Sequence, residues 1–309
     1  MTGHPSNGLG AEVAAVLRVR PPDGTMRWLL DVLEAVEVVA VEPLRGGTTS
    51  ALHRVTVRSS NGTPVTVVMR RYVRAGVVEE TPDIAHREMT ALRLVAGSSI
   101  PAPALLAADP DATVTAAPTI VMSALEGRVV WEPRRRREWL AEIAAAIVDV
   151  HTIAVPSEVA VHPIARYDQR NYQPPDWAER PDVWETAIEI FRGPIPGGDN
   201  CFVHRDFHPG NLLWRRGRIS GVVDWQAACI GPASIDPAHC RMNLLYFDQD
   251  LADEFREVWE QRSGLRFHPW ADVMSIIGIL DNLRQRPPSP RARRAMETAL
   301  AHAIAALAR

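Results

Sequence analysis

Between Cys201 and Asp236 the chain reads CFVHRDFHPGNLLWRRGRISGVVDWQAACIGPASID, and no other stretch of its 309 residues restricts the structure so tightly. His204-Arg205-Asp206 is followed, five residues after Asp206, by Asn211, and the apolar run ISGVV then ends at Asp224. H-R-D-x-x-x-x-N followed by an aspartate at a strand end is the spacing of a phosphoryl-transfer loop. An in-line transfer needs a carboxylate to orient the attacking hydroxyl and take its proton, which suits Asp206. It also needs hard oxygen ligands for Mg²⁺, which binds one or two carboxylates together with phosphate oxygens and water. Asn211 and Asp224 suit that role.

The same residues carry a second reading. His204, Asp206 and His208 form H-x-D-x-H, a run of alternating ligands for zinc or another transition metal in a hydrolytic site. Such ligands converge on one face only if the segment is extended, whereas Phe207, Pro209 and Gly210 favour a turning loop. The hydrolase reading also leaves Asn211 and Asp224 without a role.

Length allows about two domains with separate cores. A formal net charge of -3 gives no general attraction to nucleic acid or anionic membrane, so neither is expected as a partner. No apolar run reaches the roughly 20 residues of a membrane span, and MTGHPSNGLG lacks the basic start and apolar core of a leader. The three cysteines, Cys201, Cys229 and Cys240, form no C-x-x-C pair. Together these predict a reduced, cytoplasmic protein. The chain contains no lysine, so all 34 basic side chains are arginine.

In chain order, apolar spacing predicts helices over 10–19 and 25–38, the second with Trp28, Leu29, Val32, Leu33 and Val36 on one face. Strands are expected near Val41, over 51–58 and over 64–71, with Asn61-Gly62 as the hairpin turn. Gly46-Gly47, between two strands, can bring backbone N–H groups against phosphates, or simply form a hairpin loop. Arg70 ends one strand, and Glu88 follows on a helix opened by Thr81-Pro82 and closed at Gly97. A cation on a strand held by a glutamate on the next helix is a phosphate-binding pair, though arginine is broader than lysine and bidentate. A surface ion pair is the alternative.

Ser123 to Gly127 follows a buried-looking strand and suits a hinge, where backbone groups at Ser123 and Leu125 can hydrogen-bond a purine; a plain connecting loop is the alternative. The stretch from Pro133 predicts an amphipathic helix with Trp139, Ile143, Ile147 and Val150 on one face. Residues 155–200 read as a proline-rich insertion with a helix over 182–191. Helices are expected at 238–262, 269–284 and 290–308.

VHRDFHPGNLLW and ISGVVDWQAACIGPASIDPAHCR resemble the aminoglycoside phosphotransferase family, part of the kinase-like superfamily that also holds choline and homoserine kinases. The likeness runs from about residue 40 to residue 285. It implies an α+β, protein-kinase-like two-lobed fold, with a small antiparallel-sheet lobe over 1–122, a hinge over 123–127 and a larger, mainly helical lobe over 128–309. It implies Asp206 as catalytic aspartate, Asn211 and Asp224 as Mg²⁺ ligands, Arg70 as the nucleotide-phosphate cation with Glu88 as its partner, and Gly46-Gly47 as the nucleotide loop. Asp236 matches a structural aspartate, and His204 and His208 match positions that buttress the loop. The implied reaction moves the γ-phosphoryl group of ATP or GTP to a small-molecule hydroxyl; a nucleotide-binding pseudokinase is the alternative raised by Arg70. Acidic residues Asp168, Asp176, Glu179, Asp182, Glu185 and Glu189, with Asp248, Asp250, Asp253, Glu254 and Glu257, would either line a polyamine-attracting wall or face solvent.

Overall fold

The computed structural model describes residues 11–44, 47–165, 172–198 and 200–309. The chain divides into two compact units: Met1–Glu126 with Val223–Ala227, and Gly127–Val222 with Ala228–Arg309.

The first unit opens with helices α1 (Ala11–Val16) and α2 (Asp23–Val32), then strands β1 (Ala35–Pro43), β2 (Ala51–Ser59) and β3 (Pro64–Arg71). Helices α3 (Ala75–Glu80) and α4 (Ile84–Val95) precede β4 (Leu105–Asp109) and β5 (Thr119–Ser123). The strands form one antiparallel sheet in the order β1-β2-β3-β5-β4. The β2–β3 turn forms where Asn61-Gly62 predicts it: Gly62 takes φ +86°, and the Asn61 carboxamide oxygen accepts from Thr63 N–H at 3.0 Å. Under α2, Met26, Leu29, Val55, Val57, Val67, Met69 and Val121 make a buried cluster.

The helix expected over 25–38 stops early. Glu34 takes φ +50°, and the β-branched run after Ala35 pairs with β2, so Val36 is 63% exposed on a strand and not on a helix face. Sheet pairing outweighed the helical spacing of those valines.

The second unit contains α5 (Arg136–His151), α6 (Pro181–Arg192), β6 (Asn200–Val203), β7 (Leu212–Arg215), β8 (Arg218–Val222) and β9 (Cys229–Pro232). Five helices follow: α7 (Ile235–Leu245), α8 (Gln249–Ser263), α9 (Trp270–Ile277), α10 (Leu280–Gln285) and α11 (Pro290–Leu307). Strands pair as β6-β9 and β7-β8. Trp139, Leu140, Ile143, Ala144, Ile147 and Val150 form the buried stripe of α5. Two expected helices are each broken in two. Asp248 starts α8 by accepting the Asp250 N–H at 2.9 Å, a cap that separates it from α7. Gly278 and Ile279 separate α9 from α10. Helix α6 is preceded by Arg180, whose side chain makes no cap hydrogen bond; Glu297 of α11 reaches this end instead, accepting from Glu179 N–H, Arg180 N–H and Trp184 Nε1–H at 2.9, 3.2 and 3.0 Å.

The cysteines are free thiols. Among the described residues, no helix is long and apolar enough to cross a membrane.

Candidate functional site

In the first unit, strand alternation turns Arg70 toward α4, where it meets two carboxylates. Its Nη1 lies 2.5 Å from Asp224 Oδ1 and its Nε 3.4 Å from Glu88 Oε2. Arg70 and Glu88 are almost fully buried, while Asp224 is 24% exposed. Tyr72, two residues beyond Arg70, donates its hydroxyl to Glu88 Oε2 at 2.7 Å. Burial pushes the Glu88 carboxyl up; the Arg70 charge and the Tyr72 and Trp225 hydrogen bonds oppose this without cancelling it. Burial alone would lower the Arg70 pKa, but Asp224 and Glu88 raise it well above its ordinary value. This guanidinium is therefore a fixed cation. Asp224 itself has φ +72°, a left-handed conformation for a residue with a side chain, just before the 3₁₀ turn Trp225–Ala227. Such strain persists only where surrounding contacts impose it.

Gly47 is described; Gly46 lies outside the described residues. Ser123 ends β5 with its N–H given to the Ala104 carbonyl at 2.9 Å and its hydroxyl accepting the Ala104 N–H at 2.9 Å. Leu125 is half-buried in irregular backbone after the strand.

In the second unit, the H-R-D-x-x-x-x-N segment forms a turn held by a buried carboxylate. Asp236, fully buried at the start of α7, accepts from His204 N–H at 2.9 Å through Oδ2 and from Arg205 N–H at 2.6 Å through Oδ1. His151 Nε2 reaches the same Oδ2 at 3.0 Å. Burial would raise the Asp236 pKa; the His151 hydrogen bond, the nearby histidines and the His204 N–H bond outweigh it, leaving the carboxyl below its usual range. Arg205 has φ +66°, so two backbone N–H groups on one carboxylate hold a left-handed residue directly before Asp206.

Asp206, 35% exposed in its side chain, is held at both oxygens. His239 Nε2 lies 2.9 Å from Oδ1, and Asn211 Nδ2 donates to Oδ2 at 3.0 Å and to the Asp206 backbone carbonyl at 2.9 Å. His208 Nε2 is 3.8 Å from Oδ1. Desolvation raises the Asp206 pKa; the His239 hydrogen bond and the charges of His208, His239 and His204 more than reverse this, keeping the carboxylate ionised well below the usual range.

The H-x-D-x-H trio does not form a metal site. His204 is fully buried, stacks edge-on against Phe207, and accepts the Asp206 N–H at Nδ1. Among the described residues, the three side chains whose ligand atoms approach within 4.8 Å are Asp206, His208 and His239. His208 Nδ1 accepts the Gly210 N–H at 3.1 Å, so a neutral ring carries its proton on Nε2, toward Asp206. His239 Nε2 lies within hydrogen-bond distance of the Asp206 carboxylate, whereas His208 Nε2 at 3.8 Å does not.

Asn211 spends its amide nitrogen on Asp206, leaving Oδ1, and Asp224 spends Oδ1 on Arg70, leaving Oδ2. Both are oxygen donors of the kind Mg²⁺ prefers. Sequence spacing missed three participants: Tyr72, His239 and His151. Tyr72 follows Arg70 by the strand period of two, and His239 follows Asp236 by three on one helix, so both carried a local signal. His151, 85 residues from Asp236, carried none.

The family described as "Phosphotransferase enzyme family" (APH) matches residues 40–272. Among curated proteins, the N-acetylmuramate/N-acetylglucosamine kinase of Neisseria meningitidis serogroup B is 39% identical over 54 residues, 18% of this chain and 16% of that protein's length. The match therefore spans far less than two thirds of that relative. Among solved structures, an amicoumacin kinase in complex with AMP-PNP, Ca²⁺ and amicoumacin aligns with TM-score 0.63 at 15% identity, covering 96% of each chain. The streptomycin–ATP ternary complex of APH(2")-IIa aligns with TM-score 0.56 at 17% identity, covering 85% of this chain and 90% of that one. Aminoglycoside phosphotransferase APH(4)-Ia aligns with TM-score 0.59 at 15% identity, covering 91% and 98%. At these identities the structures establish the fold, which is α+β and kinase-like, while the match over residues 40–272 places the chain in the phosphotransferase enzyme family.

Proposed function

We propose that the protein transfers the γ-phosphoryl group of ATP or GTP to a hydroxyl of a small molecule, with Mg²⁺ as the metal. The observation that carries this reading is the Asp206 carboxylate, ionised and held at both oxygens beside an asparagine with a spare carbonyl oxygen. Asp206 orients the acceptor hydroxyl and takes up its proton as the oxygen attacks phosphorus. Arg70, fixed by Glu88 and Tyr72, meets the donor's phosphate oxygens with a charge it cannot lose. Gly46-Gly47 and the Ser123–Leu125 backbone complete the nucleotide contacts in this proposal. Asn211 Oδ1 and Asp224 Oδ2 would hold Mg²⁺, which when bound neutralises charge on the transferred group.

For the acceptor we favour a sugar-like polyol over a polycation. Several of the carboxylates suited to attracting a polyamine are engaged by arginines: Glu179 with Arg294 (3.7 Å), Glu189 with Arg192 (2.8 Å), Asp248 with Arg291 (3.1 Å), Asp253 with Arg241 (2.5 Å) and Glu254 with Arg136 (3.0 Å). Asp168 lies outside the described residues. The relatives' names include N-acetylated sugars as well as aminoglycosides.

The test is an acceptor screen with Mg·ATP and Mg·GTP against N-acetylated amino sugars, aminoglycosides and macrolides, run beside Asp206→Asn. Turnover is expected with one acceptor class, lowered about 10²- to 10⁴-fold in the variant while nucleotide binding persists; undiminished turnover in Asp206→Asn would refute the mechanism. The pseudokinase alternative has one supporting observation, Arg70 seated on Asp224 Oδ1. It predicts nucleotide binding that is independent of Mg²⁺ and no turnover with any acceptor.

A further inference from the structure

Arg70 and Arg71 are adjacent in β3, so their side chains point to opposite faces of the sheet. Arg70 meets two carboxylates. Arg71 is only 5% exposed, yet among the described residues no ion pair or hydrogen bond reaches its guanidinium, and its Nε is sealed from solvent without a partner. His53 of β2 shares that face. It pairs with Met69, two residues before Arg71, which makes His53 and Arg71 diagonal neighbours across the ladder. His53 is 1% exposed, and neither ring nitrogen makes a hydrogen bond of ordinary geometry. On α2, which packs on this face through Met26 and Leu29, Thr25 is 1% exposed with an unpartnered hydroxyl. Thr25 precedes Leu29 by one helical turn, and Leu29 belongs to the apolar cluster on this same face.

A buried guanidinium without a counter-charge is strongly unfavourable, and arginine cannot escape by losing its proton. Burial lowers the pKa of Arg71, with no carboxylate to oppose it. Burial also lowers that of His53; the Arg18 backbone partly opposes this and the Arg71 charge reinforces it. Water could satisfy hydrogen bonds there but not the charge.

We propose that the sheet face beneath α2 binds a small monovalent inorganic anion of the chloride type, held by the Arg71 guanidinium with His53 and Thr25 as further donors. One permanent positive charge matches one negative charge; a phosphate dianion would bury a surplus. The inference does not depend on the proposed reaction.

The test is thermal unfolding of the full chain in sodium chloride and sodium gluconate at equal ionic strength. Chloride should raise Tm along a saturating curve, favouring the folded state about 11-fold at ten times its Kd, whereas gluconate is too large to enter. Arg71→Met should abolish the difference between the salts. In case that variant folds poorly, a bromide-soaked crystal of the unmutated protein gives an independent reading: an anomalous peak beside Arg71. Equal Tm in the two salts, an unchanged chloride response in a folded Arg71→Met, or a crystal with no bromide at Arg71 would each overturn the proposal.

Discussion

Asp236→Asn is the sharpest test of how the loop before Asp206 is held. The carboxylate is fully buried and accepts three donors: His204 N–H and His151 Nε2 at Oδ2, and Arg205 N–H at Oδ1. Asparagine keeps one acceptor oxygen. In either amide orientation at least one donor then faces an NH₂ group, and the remaining bonds lose their charge assistance. A hydrogen bond to a charged group contributes about 1.5–3 kcal/mol, and a stranded buried donor costs about 1–3 kcal/mol. Asparagine also removes the cost of burying a charge, which offsets part of this. The net expected loss is about 2–3 kcal/mol in urea unfolding at pH 7. The loss should also reach function. Arg205 at φ +66° is held in place by this carboxylate; if it relaxes, Asp206 moves with it, and kcat should fall at least about tenfold with little change in nucleotide KM. The pH dependence follows from the sign of the shift. The folded-state pKa of Asp236 lies below its ordinary value of about 3.9, so its contribution is full above that value and drains away as pH falls through the lower, folded one. The variant should therefore lose less stability than the unmutated protein as pH falls below about 4. A change under about 0.5 kcal/mol with unaltered kcat would refute the anchoring argument.

Tyr72→Phe removes a buried hydroxyl from Glu88 and should cost about 1–2 kcal/mol. That hydrogen bond lowers the Glu88 pKa, which burial already holds above its ordinary value. Raising it further penalises the ionised, folded form, so the loss should be larger at pH 8 than at pH 5; equal losses would count against it. Gly210→Ala places a Cβ 2.5 Å from His208 Cε1, 2.9 Å from its Nδ1 and 3.1 Å from Trp131 Cζ2. The His208 ring must move, so a stability loss of about 1–3 kcal/mol and reduced turnover are expected; unchanged unfolding and rate would show that the ring yields freely.

What could be read from sequence, and what could not, divides by distance along the chain. The turn at Asn61-Gly62 is local and was legible as spacing, as was the strand-to-helix pairing of Arg70 with Glu88; the Asp206-to-Asn211 contact is as local, but the spacing pointed to a metal ligand and not to a bond between the two. Helical period alone misplaced Val36, because its partner strand lies outside any local window. The breaks at 246–248 and 278–279 passed unnoticed because apolar spacing continues across them, although Asp248 carried the composition of a cap. The Arg70–Asp224 contact joins residues 154 apart and left no local trace.

That contact bears on the arginine itself. A lysine ammonium is a compact charge on a flexible stem, while a guanidinium presents separate N–H groups in a rigid fork. Here Nη1 hydrogen-bonds Asp224, while Nε lies 3.4 Å from Glu88 as an ion pair without a hydrogen bond. The exchange of lysine for arginine, which in sequence looked like a departure, thus fixes two carboxylates with one buried cation. The cost falls on Asp224: one of its oxygens is already committed to Arg70, so in the proposed reaction Oδ2 is the oxygen left for metal. Arg70→Lys should loosen that commitment, because one ammonium cannot reproduce the fork's two directions. If the proposal is right, the variant should change the Mg²⁺ dependence of nucleotide binding more than it changes the stability of the buried pair.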